Sequence, residues 1–144
     1  EGQFQLVNSE GYTTAPNGNR LLVLYNGGTV CDTDNLFDMN SAHALCRQMG
    51  YRGARTWTSG LYDSMQNNYY ITLDNVKCNT GYWHQCSYDF EVGDCSHYND
   101  VYLDCNSSKY RFQSILGGIQ ETQPKSTIDR LITLLDELIP ELVR

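Results

Sequence analysis

Six cysteines, at positions 31, 46, 78, 86, 95 and 105 of 144 residues, constrain this chain more than any other feature. The count is even and no C-x-x-C pair occurs. The closest two are Cys78 and Cys86, too widely set for the paired ligands of a structural zinc site. Such a pattern reads as a disulfide framework made in an oxidising compartment. Six cysteines admit fifteen pairings, and spacing alone leaves the choice open. The length suits one domain, or one domain with an appendage. No apolar run approaches the roughly 18 residues of a membrane span. No signal peptide is visible at Glu1, so the reading is of a mature secreted form or an ectodomain.

The chain is organised around Thr29 to Tyr51. Thr29-Val30-Cys31 ends a strand, and an acidic loop with Asp32, Asp34 and Asp38 follows. A helix is expected over 40–49, capped by Asn40 or Asp38, whose side-chain oxygen can accept from a first-turn N–H. Gly50 stands where a left-handed residue commonly ends a helix. Ala42, Leu45, Cys46 and Met49 recur at helical spacing and mark the core face, while His43, Arg47 and Gln48 lie opposite. Strands are expected at Phe4–Val7, 20–25, 28–31, 70–76 and 101–105, with Asn26-Gly27 as a type I′ hairpin turn. The polar stretch 52–68 reads as a long ordered loop anchored by Trp57, Leu61 and Tyr62. Cys78 and Cys86 bracket a short polar loop.

Charge is unevenly placed. Residues 1–105 carry twelve carboxylates against five basic side chains, whereas 106–144 are balanced, so the net charge of −7 belongs to the cysteine-bearing part. That argues against nucleic acid, whose binding rests on phosphate neutralisation, and favours a cation. Beyond Cys105, Asn106-Ser107-Ser108 is a glycosylation sequon. Gly117-Gly118 and Pro124 mark a linker. A second helix is then expected, with Ile128, Leu131, Ile132, Leu135, Leu138, Ile139 and Leu142 along one apolar face and Pro140 as its kink or end. A helix of that length is marginal alone in water, so the face needs a partner surface.

With these residues in view, residues 4–105 resemble a scavenger receptor cysteine-rich domain. The matching motifs are Gly28-Thr29-Val30-Cys31-Asp32, Asn40-Ser41-Ala42 leading to Leu45-Cys46-Arg47-Gln48-Met49-Gly50-Tyr51, Leu73-Asp74-Asn75-Val76-Lys77-Cys78, Cys95-Ser96-His97 and the closing Cys105. Tyr51 stands where the eight-cysteine form has a cysteine, so the resemblance is to the six-cysteine group. It implies the pairs Cys31–Cys95, Cys46–Cys105 and Cys78–Cys86. It also implies an α+β architecture, a curved antiparallel sheet cradling one helix, to which this chain would add a carboxy-terminal amphipathic helix. The expected organisation is a domain over 1–105, a linker with a possible extra strand over 106–126 and a helical tail over 127–144. This sequence departs from the family pattern in lacking its two usual tryptophans, in Thr33 replacing a second aspartate, and in Asn99-Asp100-Val101-Tyr102 replacing E-D-A-G.

The family's calcium site maps by position to Asp32 and Asn99, with Asp34 and Asp100 as the nearest substitutes for missing carboxylates. Asp74 matches a residue of a second family cation site. The bland reading is that these aspartates solvate a surface and cap the helix. Arg47, Arg52 and Arg55 form a candidate polyanion patch, against which stands the acidity of the domain. Eleven tyrosines suggest a contact or carbohydrate platform, although half-buried sheet positions account for many such residues. Catalysis has no assembled set, because the cysteines are committed to bridges and His43, His84 and His97 lack ligand spacing or a G-x-S-x-G partner. The chain therefore reads as a non-enzymatic, extracellular binding or adhesion module for a protein or glycan, with Ca2+ as its one candidate cofactor and neither nucleic acid nor membrane as partner. The competing reading is a structural subunit that self-associates through the carboxy-terminal helix.

Overall fold

The computed structural model describes residues 3–107. The chain divides into two units, Glu1–Ser107 and Ser108–Arg144. The expected linker from residue 108 onward, the apolar helix from Ile128 to Leu142 and the last residue of the sequon lie outside the described residues.

Seven strands and one α-helix, with three short 3-10 helices at Ser64–Asn68, Trp83–Gln85 and His97–Asn99, make up the described unit: β1 (Phe4–Val7), β2 (Leu21–Tyr25), β3 (Gly28–Cys31), α1 (Met39–Gln48), β4 (Ala54–Thr58), β5 (Ile71–Cys78), β6 (Cys86–Asp89) and β7 (Tyr102–Cys105). They form one curled sheet in the order β4-β7-β2-β3-β5-β6, with β1 paired to β2. The β2–β3 turn places Asn26 at φ 52° and Gly27 at φ 85°, the double left-handed geometry of a type I′ hairpin. The start of β2 pairs with β7 and its end with β3. Val101 joins the two beside β2: its N–H donates to Val30 and its carbonyl accepts from Val23.

Three local expectations need correction. The sheet is mixed, because β3 and β5 run parallel; α1 and β4 lie between them in sequence and return the chain to the same end. β4 occupies part of the stretch read as loop. Its Trp57 packs edge-on against Phe37, with ring centroids 4.9 Å apart, and pairs across to Leu103. The glycines and serines flanking Ala54–Thr58 mask a short strand whose threonines and tryptophan suit a sheet. The helix starts one residue earlier than expected, at Met39.

Its ends follow local chemistry. Asp38 accepts from the Ser41 N–H at 3.1 Å and pairs with Lys77 of β5. At the other end Gly50 adopts φ 91° and donates to Arg47, while Tyr51 donates to Cys46. This is the double closure of a Schellman motif, which a residue with a Cβ would strain. Ala42, Leu45 and Cys46 are fully buried against the sheet. They join a core of Phe4, Leu6, Val23, Val30, Leu73, Val76, Val101 and Leu103. The opposite face of β2 and β7 is covered too: Leu22, Leu24 and Tyr102 meet Val7, Met65 and Tyr69. Alternation in β7 therefore does not separate buried from exposed residues, since both faces are packed. Bridges join Cys31 to Cys95, Cys46 to Cys105 and Cys78 to Cys86, the pairs the family resemblance implies.

Candidate functional site: an acidic face on the β5–β6 side

The parallel pairing of β3 with β5 brings the loop after Cys31 against Leu73-Asp74-Asn75-Val76. Asp74 accepts from the Thr33 N–H at 2.9 Å and from its hydroxyl at 2.6 Å. Asn75 sits at φ 53°, in the left-handed region that asparagine tolerates better than most residues. In that conformation its side chain faces Asp34. The Asp34 N–H donates to Asn75 Oδ1 and Asn75 Nδ2 donates back to Asp34 Oδ2, each at 2.9 Å. The same Nδ2 reaches Asp89 of β6 at 3.2 Å. Thr33, Asp34, Asp74, Asn75, Glu91, Val92, Gly93 and Asp94 line a hollow of about 610 Å³. Asp34, Glu91 and Asp94 are exposed at its rim, while Asp74 is buried at its base.

Of the expected calcium ligands, Asp32, Asp34 and Asp74 lie near one another, while Asp100 faces elsewhere. Asp32 is 2% exposed, and its Oδ1 accepts from the Leu36 and Phe37 N–H groups at 2.8 and 3.2 Å, holding the loop that enters α1. Burial lifts its pKa above the usual carboxylate value against those two hydrogen bonds, and the nearby charges of Asp74 and Asp34 add to the rise. Asn99 contributes its carbonyl to the Asp32 N–H. Asp100 is fully buried and faces a different set of groups: Gln66 Nε2 donates to it at 2.9 Å and His97 Nδ1 lies 2.8 Å away. Burial raises its pKa also. Asp100 thus has partners of its own, whereas Asp34 and Asp74 line one hollow. Asn75, Asp89, Glu91 and Asp94 belong with them and were missed. The run Asp89-Phe90-Glu91-Val92-Gly93-Asp94 offered the signal, three carboxylates within six residues.

The donor set is all oxygen, the chemistry hard cations prefer. Among the described residues, no three carboxylates converge within 4.8 Å. The one such cluster of ligand-type atoms is Asp74 with Cys31 and Cys95, whose sulfurs are joined to each other. The carboxylates thus provide a negative hollow rather than a preformed cage.

The three arginines of the expected patch differ in their surroundings. Arg47 is committed inside the fold: Nε donates to the Arg52 carbonyl at 2.9 Å, Nη1 to the Gly81 carbonyl at 2.8 Å, and the guanidinium lies 4.9 Å from the Tyr82 ring centre. A Cβ on Gly81 would stand 2.1 Å from Nη1, so glycine is required for this approach. Arg52 and Arg55 are exposed. Beside Arg47, His43 Nδ1 accepts from the Ala54 N–H at 2.9 Å. Asn106 donates its backbone N–H to Gly53 at the end of the described unit.

All six cysteines are bridged, and the acidic face is built on the bridged framework. Fold and face together define a small disulfide-braced interaction domain. A family model for the scavenger receptor cysteine-rich domain matches residues 13–106. The chain belongs to this family, whose domains are extracellular protein-interaction modules and are not themselves catalytic. It is similar to lysyl oxidase homolog 2A of Danio rerio, 40% identical over 112 residues, covering 72% of this chain and 15% of that protein. Lysyl oxidase homolog 4 of Bos taurus is 41% identical over 104 residues, covering 68% and 13%, and that of Homo sapiens 41% over 115 residues, covering 76% and 14%. The chain thus spans about a seventh of these relatives' length. Among the described residues no helix is long and apolar enough to cross a membrane.

Proposed function

We propose that this chain is an extracellular, non-catalytic module that recognises a protein or glycan ligand through its acidic face, with calcium held in the hollow of Asp34, Asp74, Asn75, Glu91 and Asp94. The observation that carries this reading is the gathering of exposed carboxylates from two separate loops around one hollow. Concentrating like charge costs free energy unless a cation or a cationic partner relieves it. Calcium would take oxygens from the rim and retain water for the rest, as extracellular modules of modest affinity do. The relatives' name refers to an oxidase of lysyl groups. A module of this kind beside such a centre would bind the protein that carries them.

Two measurements test this. Roughly millimolar calcium, the range of extracellular modules, should raise the melting temperature, and Asp34→Asn with Asp94→Asn should remove the rise. An array of identified extracellular proteins and glycans should yield ligands that a variant with Asp34, Glu91 and Asp94 changed to lysine no longer binds. An array without any binder, or one indifferent to this reversal, would overturn the reading.

A further inference from the structure

Among the described residues the sheet ends at β6, and this edge differs from an ordinary solvated one. All of β6 beyond Cys86 is exposed. Cys86 faces Cys78 directly, and the Asn79 N–H donates to the Gln85 carbonyl just outside that pair. The Lys77–Ser87 pair then turns Ser87 toward β5, and along β6 itself the N–H and carbonyl of Tyr88 alternate to the outer edge, opposite the point where the β5 register shifts between Asp74 and Lys77.

The two faces of this edge also differ. On one, Tyr88 stacks on Trp83, with ring centroids 4.8 Å apart and planes at 11°, and meets Phe90 edge-on at 5.3 Å. Trp83 in turn rests on Phe4 of β1. Phe90 is 64% exposed and Tyr88 37%, a pair of aromatic rings packed together at the surface. Asp89 alternates to the other face, where it meets Asn75, and the rim of Asp34, Glu91 and Asp94 lies on the same side of the domain.

We propose that the β6 edge receives an extended segment of a partner protein, added as an antiparallel or parallel strand, in which lysine or arginine alternates with apolar residues. A strand added there would lie about 4.8 Å from β6 and send successive side chains to opposite faces. Its apolar residues would cover Tyr88 and Phe90, and its cations would meet Asp89 and the rim. Backbone pairing supplies affinity in such strand addition, and the alternate side chains supply selectivity. A second copy of this chain is the wrong occupant. Pairing β6 with itself would bring two acidic rims together, in a unit whose first 105 residues hold twelve carboxylates against five basic side chains. The proposal rests on the protein-binding reading above and names the partner's chemistry.

The probe is a fluorescein-labelled, capped peptide of alternating lysine and valine, titrated against the full chain by anisotropy and by Trp83 emission. It should bind, and three changes should each weaken it by about tenfold or more: Phe90→Ser in the chain, N-methylation of the peptide amides that face β6, and regrouping the same residues into a lysine block and a valine block. Phe90→Ser lies on the surface and should leave the melting temperature unchanged. Equal binding of the block peptide or of the N-methylated peptide would reduce the interaction to bulk charge and overturn strand addition; so would failure of the alternating peptide to bind. The calcium-induced rise in melting temperature should be untouched by Phe90→Ser, so loss of this proposal leaves the cation reading separately testable.

Discussion

Asn75 and Asp34 hold each other through two reciprocal hydrogen bonds of 2.9 Å, backbone to side chain and side chain to side chain. One residue in the left-handed region thereby fixes the loop after Cys31 to β5 and spaces Asp34 from Asp89. Asn75→Ala would remove both bonds and place an unsuited residue at φ 53°. The expected loss is about 2 kcal/mol, combining a buried polar pairing with left-handed strain. Thermal or urea unfolding checks this. Asn75→Asp keeps the conformational tolerance but adds a carboxylate beside Asp34, Asp74 and Asp89. It should destabilise the calcium-free chain and enlarge the calcium-induced rise in melting temperature.

Arg47 is a structural clamp. Arg47→Ala leaves the Gly81 carbonyl without its donor and removes the contact over Tyr82, for an expected cost of roughly 2 kcal/mol. Arg47→Lys should recover little, because an ammonium does not reproduce a planar fork that reaches two carbonyls at once. Arg52→Ala and Arg55→Ala, both at exposed positions, should each change stability by less than about 0.5 kcal/mol. Unfolding curves for the four variants separate the clamp from the surface arginines. Any heparin binding should respond to the last two alone.

His43 gives the domain an acid sensitivity of definite sign. Burial, and then the charge of Arg47, lowers its pKa below the usual 6.5. The unfolded chain therefore takes up this proton first as pH falls. The stability contributed by neutral His43, whose Nδ1 accepts from Ala54, is complete above about pH 6.5 and declines below it toward the folded pKa. Asp32 and Asp100 act in the opposite direction, since their raised pKa values let the folded state take up protons before the unfolded one. The difference between wild type and His43→Gln isolates the histidine. The variant's unfolding free energy should fall less steeply than wild type between neutral pH and pH 5, and parallel curves would assign no such role to His43.

The framework was legible wherever function and fold coincide in short local patterns. Gly50 ending a helix, Asn26-Gly27 turning a hairpin and the apolar spacing from Ala42 to Met49 are each decided within a few residues. The family motifs add the cysteine pairs, which no local rule supplies. β4 was obscured because Ala54–Thr58 is stabilised by β7, almost fifty residues away. The site was half legible for a related reason. Asp34 and Asp74 stand beside motif residues, but whether Asp100 joins them depends on the direction its side chain takes after the Ser96–Asn99 turn. It turns inward to Gln66, a partner 34 positions distant. The edge at β6 was illegible because Ser87, Tyr88 and Asp89 have no periodic apolar signal; only the position of β6 at the end of the sheet gives them meaning.

The three bridges should differ in energy and in what they control. Cys31–Cys95 and Cys46–Cys105 span 64 and 59 residues, and Cys78–Cys86 spans 8. In the chain-entropy account, closing the long loops stabilises by about 4 kcal/mol each and the short one by about 2.5 kcal/mol. Replacing Cys46 and Cys105 together by alanine should therefore cost more than replacing Cys78 and Cys86. The core pair is also fully buried at Cys46 and Cys105, so its removal opens the interface between α1 and β7. The short bridge has a local task. It ties β6 to β5 at the start of the edge strand, opposite no other covalent anchor. Its double replacement should leave the calcium response of the Asp34–Asp74 hollow measurable while loosening β6. Binding of the alternating lysine–valine peptide should then weaken more than the loss of global stability accounts for. Hydrogen exchange supplies the check: amides of Ser87 and Asn79 should lose protection in the Cys78/Cys86 variant while those of β2 and β7 keep theirs. Uniform loss of protection across the sheet would mean that the short bridge serves the whole fold rather than the edge.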